Sequence, residues 1–470
     1  MSEKTVLTKE LEYGSTRQEE VEEVLTLDEI YEKMGVGPAQ LLSWTIVALV
    51  SYLYYAELTV MAIIMPTLRC QWELSSGFEG CIVLAVFGSY AFCGIFCGKL
   101  GDVYGRKKVI VASTTMLIVA AVCSAAAPNK WMFLACRLLE GACIGTKRSS
   151  IACYAIEFSE SKHRTIGITV NILATFCGLF LVNVMGWAWL DIIGWRLLIL
   201  IATLPAIPAL AMLFTMPESP HYLCAAGKME QAERALNFLA SFNRVILPPG
   251  IKIASSEDKE RGSLLTVLTQ PHLRSTVALS IIFSMNVFLD LGLIVYLPLL
   301  FSSNLCGALS EAPKHDCQPL TTDDHLKLMV TSTGGMVGTI LSLIAVNTLG
   351  RLSPIRVAIT VQTLAIALLF LCVNQTFTFW LATFIMTVES FVKTTVWIMI
   401  PESFPTSIRS TAAGFISGSG RIGGLVSTFS VYLCFYTHPT VLIILFLVTS
   451  SAGLLGAMIS NRETKDVLLT

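Results

Sequence analysis

Charge is what this chain most lacks. Asp, Glu, Lys and Arg make up 14% of its 470 residues, whereas soluble domains carry about 25%, so lipid rather than water is expected to be its main solvent. The net charge is -1 and no basic stripe with interleaved aromatics occurs, which argues against a nucleic-acid partner. No Cys or His cluster has zinc spacing, no phosphate-cradling loop precedes a helix, and the six His are scattered through tails and loops. Neither an enzyme nor a cofactor is therefore expected. The opening forty residues are polar and acidic rather than a short basic stretch followed by an apolar core, so the N-terminal tail is expected to be mature protein. Most of the 14 Cys lie in apolar stretches, where a thiol behaves as a small hydrophobe and implies no disulfide scaffold.

What the chain has instead is apolar residues, 54% of the total, gathered in blocks of about twenty, the length that crosses a hydrocarbon core. Six blocks, at about 41–66, 80–97, 109–127, 131–156, 166–187 and 195–216, precede a polar stretch. Six more, at about 277–300, 328–349, 355–373, 377–400, 411–436 and 440–460, follow it. The expected architecture is an all-α polytopic membrane protein with twelve transmembrane helices in two six-helix bundles. Residues 1–40 form an acidic tail with a short helix at 27–34, 41–216 and 277–460 the bundles, 217–276 a linker with an amphipathic helix at 229–242, and 461–470 a second tail. Lys99, Arg106, Lys107 and Lys108 follow span two, Lys162 and Arg164 span four, and Arg351, Arg356, Arg409 and Arg462 later even-numbered spans. The positive-inside rule then puts both termini in the cytosol. The longest external loop, 301–327, carries Cys306 and Cys317, for which a bridge is expected in an oxidising compartment, with Cys70 as a competing partner. Asn374-Gln375-Thr376 fits a glycosylation sequon set against the external membrane surface.

Two loops echo each other. Gly98-Lys99-Leu100-Gly101-Asp102-Val103-Tyr104-Gly105-Arg106 follows span two, and Asn347-Thr348-Leu349-Gly350-Arg351, a shorter copy without the acid, follows span eight. A closer echo links Glu157 to Arg164 after span four with Glu402 to Arg409 after span ten, at identical spacing. Repeated acids and bases at corresponding ends of two halves suit a latch whose ion pairs form in one conformation and separate in another. Its candidate residues are Gly98, Asp102, Gly105, Arg106, Glu157, Arg164, Gly350, Arg351, Glu402 and Arg409. Arg137, Gly141 and Gly145 lie in span four, where small residues allow close helix packing.

The first of these loops resembles the signature loop of the major facilitator superfamily. Pro217-Glu218-Ser219-Pro220-His221-Tyr222-Leu223 looks like a segment of sugar and organic-ion facilitators, with His221 replacing a basic residue. Together with the 27–44 region, the Cys306 and Cys317 loop and Pro401-Glu402, these stretches resemble the synaptic vesicle glycoprotein 2-related branch, beside organic cation and anion transporters. The resemblance implies a facilitator whose central site is lined by spans one, four, seven and ten and opens alternately to either side.

Ionisable groups in hydrocarbon are costly and by default face a cavity or a partner. Glu57 lies in span one, Lys147 and Arg148 in span four, Asp290 in span seven, Glu389 and Lys393 in span ten and Arg421 in span eleven. Arg148 stands nine residues before Glu157 and Lys393 nine before Glu402, so the two cations occupy equivalent repeat positions and suit an anion-binding pair. The alternative is a local pair between Lys393 and Glu389, four residues apart. Arg421 resembles the span-eleven Arg that serves anion recognition in organic anion relatives; its alternative role is bracing the bundle through carbonyls. Glu57 matches the family's second acid in span one, whereas Tyr54 stands where relatives often carry Asp, which favours an anionic or zwitterionic ligand. Glu57 and Asp290 are candidate proton carriers. The expected function is secondary transport of a small organic ion by a monomer in the lipid bilayer of the plasma membrane or a secretory vesicle. The competing reading is a non-transporting membrane protein that keeps the fold and binds a partner, which the degraded loop at Asn347 favours.

Overall fold

Hydrocarbon offers main-chain N–H and C=O groups no partners but one another, so a chain with these apolar blocks is obliged to fold as helices. The computed structural model describes residues 24–97, 100–160, 163–246, 252–253, 264–303, 319–371, 373–404 and 408–460. In chain order, the first half comprises α1 (Leu27–Met34), α2 (Pro38–Trp72), α3 (Ser76–Phe96), α4 (Leu100–Tyr104), α5 (Arg106–Ala125), α6 (Lys130–Glu157), α7 (Arg164–Thr203) and α8 (Ala206–Thr215). Helix α7 joins two spans at Gly194, whose φ of 75° breaks the helical path. The linker holds α9 (Pro220–Ala225), α10 (Met229–Phe242) and α11 (Leu264–Val267). The second half comprises α12 (Leu273–Ser302), α13 (Thr322–Leu349), α14 (Leu352–Leu368), α15 (Gln375–Glu402), α16 (Arg409–Cys434) and α17 (Pro439–Ile459). Among the described residues the only sheet is a parallel pairing of β1 (Val24–Leu25) with β2 (Lys252–Ile253).

Among the described residues, eight helical stretches are long and apolar enough to cross a bilayer by length and composition alone. Helix α6 is outside that set because Arg137, Glu140, Lys147 and Arg148 interrupt its apolar surface, and those charges are tolerable only because the helix is packed among others. The halves are built alike. Helix α2 lies along α7 and α3 along α6; correspondingly α12 lies along α16 and α13 along α15. The halves meet where α13 packs on α7 and α16 on α3. Helices α6 and α15 both run 28 residues and both start on an Asn cap. The Asn129 side chain accepts from the Met132 N–H at 2.9 Å and the Asn374 side chain from the Phe377 N–H at 2.7 Å, so the sequon asparagine is engaged as a cap. Gly141 and Gly145 of α6 rest against the carbonyls of Val86 and Tyr90 on α3, where no Cβ would fit.

One face of the molecule carries both described chain ends and the linker. There α1 is fixed by a capping box between Thr26 and Glu29 and buries Ile30, Tyr31 and Met34. Asp28 accepts from Arg164 at 2.5 Å. At the end of α10, Asn243 accepts the Ala39 N–H at 2.9 Å, supplying an orphan donor of α2 with a partner. In the second half, Arg356 donates to the carbonyls of Ala457 and Ser460 at 3.0 and 2.6 Å, and Arg274 to that of Ile459 at 2.9 Å, closing the C-terminus of α17.

Tyr31 stacks on His221 with ring centroids 6.0 Å apart, and His221 Nε2 makes no hydrogen bond. Burial lowers the His221 pKa from its ordinary 6.5; Glu157 and Asp28 oppose the shift, while Arg164 and Arg106 reinforce it. A histidine that titrates lower folded than unfolded contributes stability that is complete above its unfolded pKa and lost as pH falls through it. Hydrogen exchange in Leu27–Met34, corrected for its chemical pH dependence, is therefore expected to rise between pH 6.5 and about 5, above the ordinary carboxylate range. His221→Phe should flatten that rise; an equal rise in the variant would show that His221 is not its source.

Candidate functional site

Six helices, α2, α3 and α6 of the first half and α12, α15 and α16 of the second, line a narrow cleft between the two halves. Arg148, Asp290, Lys393 and Arg421 line it, with Tyr54, Tyr90, Phe283 and Trp397 among its aromatic walls. Four of the sequence-derived site residues thus meet at one place. Arg148 is held by a 3.2 Å hydrogen bond to Asn171 Oδ1 and lies 4.6 Å from the Tyr54 ring centroid and 5.9 Å from that of Trp397. Aromatic faces attract a guanidinium without neutralising it, so Arg148 keeps its charge available. Arg421 donates to the Gly94 carbonyl and lies 6.0 Å from the Tyr90 ring centroid. It both lines the cleft and ties α16 to α3.

Lys393 forms an ion pair with Asp290 at 2.7 Å, and the Tyr55 hydroxyl bonds both partners. All three are buried. The partner of Lys393 is thus on α12 and not one turn back on its own helix: neither carboxylate oxygen of Glu389 makes a hydrogen bond. Glu57 and Lys147 sit elsewhere, in a second buried cluster inside the first half. Arg137 reaches Glu140 at 2.6 Å and Glu57 at 3.8 Å, Thr203 donates to Glu57 at 2.8 Å, and Arg137 also donates to Ser124. Lys147 is 2% exposed and its ammonium makes no hydrogen bond. Tyr55, Trp397 and Glu140 were not singled out from sequence. Glu140 carried a signal, an acid three residues after Arg137 in an apolar span; an aromatic among many aromatics carries none.

The latch residues form two matching units. Arg106 donates to Glu157 at 3.0 Å and Arg351 to Glu402 at 3.0 and 2.9 Å, the partners being 51 residues apart in both halves. Each Arg also donates to a carbonyl five residues back, Gly101 at 2.9 Å and Val346 at 3.3 Å. Gly105 (φ 109°) and Gly350 (φ 89°) precede them in a backbone region that favours glycine. Only the first unit has an acid in its loop, Asp102, 2.5 Å from Arg106. Both units lie within a half. Arg164 pairs with Asp28, while Gly98 and the Arg409 side chain are outside the described residues, as are Cys306 and Cys317. Cys70 is disulfide-bonded, to a partner outside them too. Next to it Arg69, paired with buried Glu79 at 2.6 Å, donates to the Tyr436 hydroxyl of the other half at 2.5 Å.

Removing one member of a buried ion pair costs about 3–5 kcal/mol, because the other charge is left uncompensated. Lys393→Met should therefore lower the unfolding stability of the purified chain in detergent by about that amount, and adding Asp290→Asn should recover most of it. Equal stability of Lys393→Met and the unaltered chain would show that the pair does not hold the site together.

Comparison with known proteins agrees with this architecture. The chain is 26% identical over 458 residues to svop-1 of Caenorhabditis elegans, covering 96% of this chain and 87% of that protein. It is 26% identical over 422 residues to the synaptic vesicle 2-related protein of Bos taurus, covering 87% and 75%. The fold is that of the major facilitator superfamily proton:xylose symporter XylE bound to 6-bromo-6-deoxy-D-glucose, with a TM-score of 0.68 and 18% identity over 90% of this chain and 95% of that one. With the repeated half, the central cleft and a match to the Sugar (and other) transporter model over residues 45–469, the chain belongs to that family and is a membrane transporter of the major facilitator type, not an enzyme.

Proposed function

We propose that the chain transports a small organic anion or zwitterion across the membrane by alternating access, with the cleft as its binding site. The observation that carries this is the charge of the lining: three cations, Arg148, Lys393 and Arg421, against one carboxylate, Asp290, which already serves Lys393. A negatively charged group entering the cleft would meet guanidinium donors suited to carboxylates, flanked by aromatic faces for an organic body. Lys393 would hold the ligand from the second half and Arg148 from the first, so the ligand itself would bridge the bundles. Glu57 and Asp290 would balance charge or carry protons; that the fold is shared with a proton:xylose symporter supports coupling to protons. The Glu157 and Glu402 units would act as a latch on the cytosolic face, with both termini cytosolic, in a monomer of the plasma membrane or a secretory vesicle.

The test is uptake by the purified chain in liposomes of a panel of labelled small carboxylates, zwitterionic amino acids, organic cations and neutral sugars. Anions or zwitterions should accumulate, and Arg148→Ala and Lys393→Ala should each reduce uptake on the order of 30-fold or more, as expected for losing a charged contact of about 2 kcal/mol or above. Uptake equal in all three proteins would overturn the site, and uptake confined to cations or sugars would overturn the ligand class. Unchanged accumulation on imposing a pH gradient, with Glu57→Gln equally active, would dismiss proton coupling through Glu57.

A further inference from the structure

Glu389, one helical turn before the cleft-lining Lys393, is a buried acid for which the transport reading has no use. It is 0% exposed, lies in the middle of α15, and neither of its carboxylate oxygens makes a hydrogen bond. The Asn286 amide donates to the Glu389 main-chain carbonyl at 3.2 Å and is also the neutral donor beside its carboxyl. A buried carboxylate with so little donation is far costlier than a neutral acid in the same place. The charged and titratable groups facing it are Asp290 from α12, Tyr55 from α2 and Lys393 from its own helix. Two acids therefore flank a single ammonium, and Asp290 has it.

We propose that Glu389 is a proton-binding site, protonated in the conformation described here, and that loss of its proton draws Lys393 off Asp290 and Tyr55. The O–H bond of the acid breaks, the proton passes to water in the cleft that Lys393 lines, and the carboxylate left behind needs a counter-charge. Lys393 follows Glu389 by four residues, the spacing and order in which a helical Glu and Lys pair best. Because Tyr55 belongs to the first half while Asp290 and Lys393 belong to the second, the proton on Glu389 sets whether the tie between the bundles is complete. The transport consequence, that a proton governs bundle separation, rests on the reading of the cleft given above; the proton site itself does not.

The experiment is infrared difference spectroscopy of the full chain in lipid bilayers during a pH titration with no ligand present. At neutral pH the spectrum should contain the carbonyl stretch of an un-ionised buried acid, and raising the pH should remove it together with a shift in a tyrosine ring mode that Tyr55→Phe abolishes. Glu389→Gln should lose the acid band and the pH-linked tyrosine shift, whereas Asp290→Asn, which frees Lys393 to pair with Glu389, should move the loss of the band to lower pH. If Glu389→Gln fails to fold, Glu389→Asp keeps a carboxyl there and should move the band rather than delete it. An acid band that survives Glu389→Gln unchanged would place the proton elsewhere, for instance on Glu57 or Glu140, and overturn the site. Loss of the band with no tyrosine shift would overturn the movement of Lys393. Neither result depends on uptake, so a chain that moved no organic anion yet gave these spectra would refute the cargo and leave the proton site standing.

Discussion

A charge placed in hydrocarbon must be paired, hydrogen-bonded or hydrated, and the Lys393, Asp290 and Tyr55 cluster is where this chain meets that constraint with groups from both bundles. Lys393 and Asp290 pair within the second half, and the Tyr55 hydroxyl of the first half completes the cluster only when the bundles are together. The Glu57, Arg137 and Glu140 cluster obeys the same rule but draws all its members from one bundle. The distinction assigns each a different part in the molecule. A charge cluster within a bundle makes that bundle rigid, while one spanning two bundles makes their separation costly and therefore sensitive to whatever else offers Lys393 a partner.

The same division holds at the periphery. Arg106 with Glu157 and Arg351 with Glu402 join helices of one half, so a latch built from them would act by loosening helices within a bundle rather than by tying one bundle to the other. Besides those of Tyr55, polar contacts between the halves among the described residues include Asn183 to Ser332 at 2.9 Å, Arg69 to Tyr436 at 2.5 Å, and Arg421 to Gly94. These are single hydrogen bonds, each worth about 0.5–3 kcal/mol net depending on charge. Packed bodies joined by a few such contacts are suited to two discrete arrangements, and the guanidinium of Arg421, which also lines the cleft, is placed to exchange a carbonyl for a ligand oxygen.

Much of this was legible in the sequence, because helix length and repeat spacing are one-dimensional quantities. The twelve-helix fold follows from block lengths and the equivalence of Arg148 with Lys393 from counting back from Glu157 and Glu402. What counting could not supply is which neighbours the third dimension brings. Lys147 and Arg148 are adjacent, yet the helix turns about 100° per residue, so Arg148 faces the cleft while Lys147 faces the cluster around Glu57. Tyr55 meets Asp290 across 235 residues and Lys393 across 338, separations that no local pattern encodes. Lys393 had two acids within reach, and only the packing of α12 on α15 decides for Asp290 over Glu389.

The two halves are not equivalent, and the difference lies on the face that carries the chain ends. There the first half is clasped by segments outside its spans: Asp28 of α1 holds Arg164, Tyr31 covers His221, Asn243 at the end of α10 binds the start of α2, and Glu218 accepts the Lys107 N–H at 2.8 Å. The second half closes its own ends with Arg274 and Arg356 on the carbonyls of α17 and has Asn347 where the first has Asp102. These clasps restrain the first half against the linker or the N-terminal segment, and each would have to be remade if that half deformed. The loop with the extra acid and the docked tail thus belong to one bundle, which among the described residues is the more heavily braced of the two and is suited to keep its shape if the halves move. The second loop, for all its divergence, keeps the contacts of Arg351 with Glu402 and with the Val346 carbonyl, so its missing acid does not by itself argue against transport.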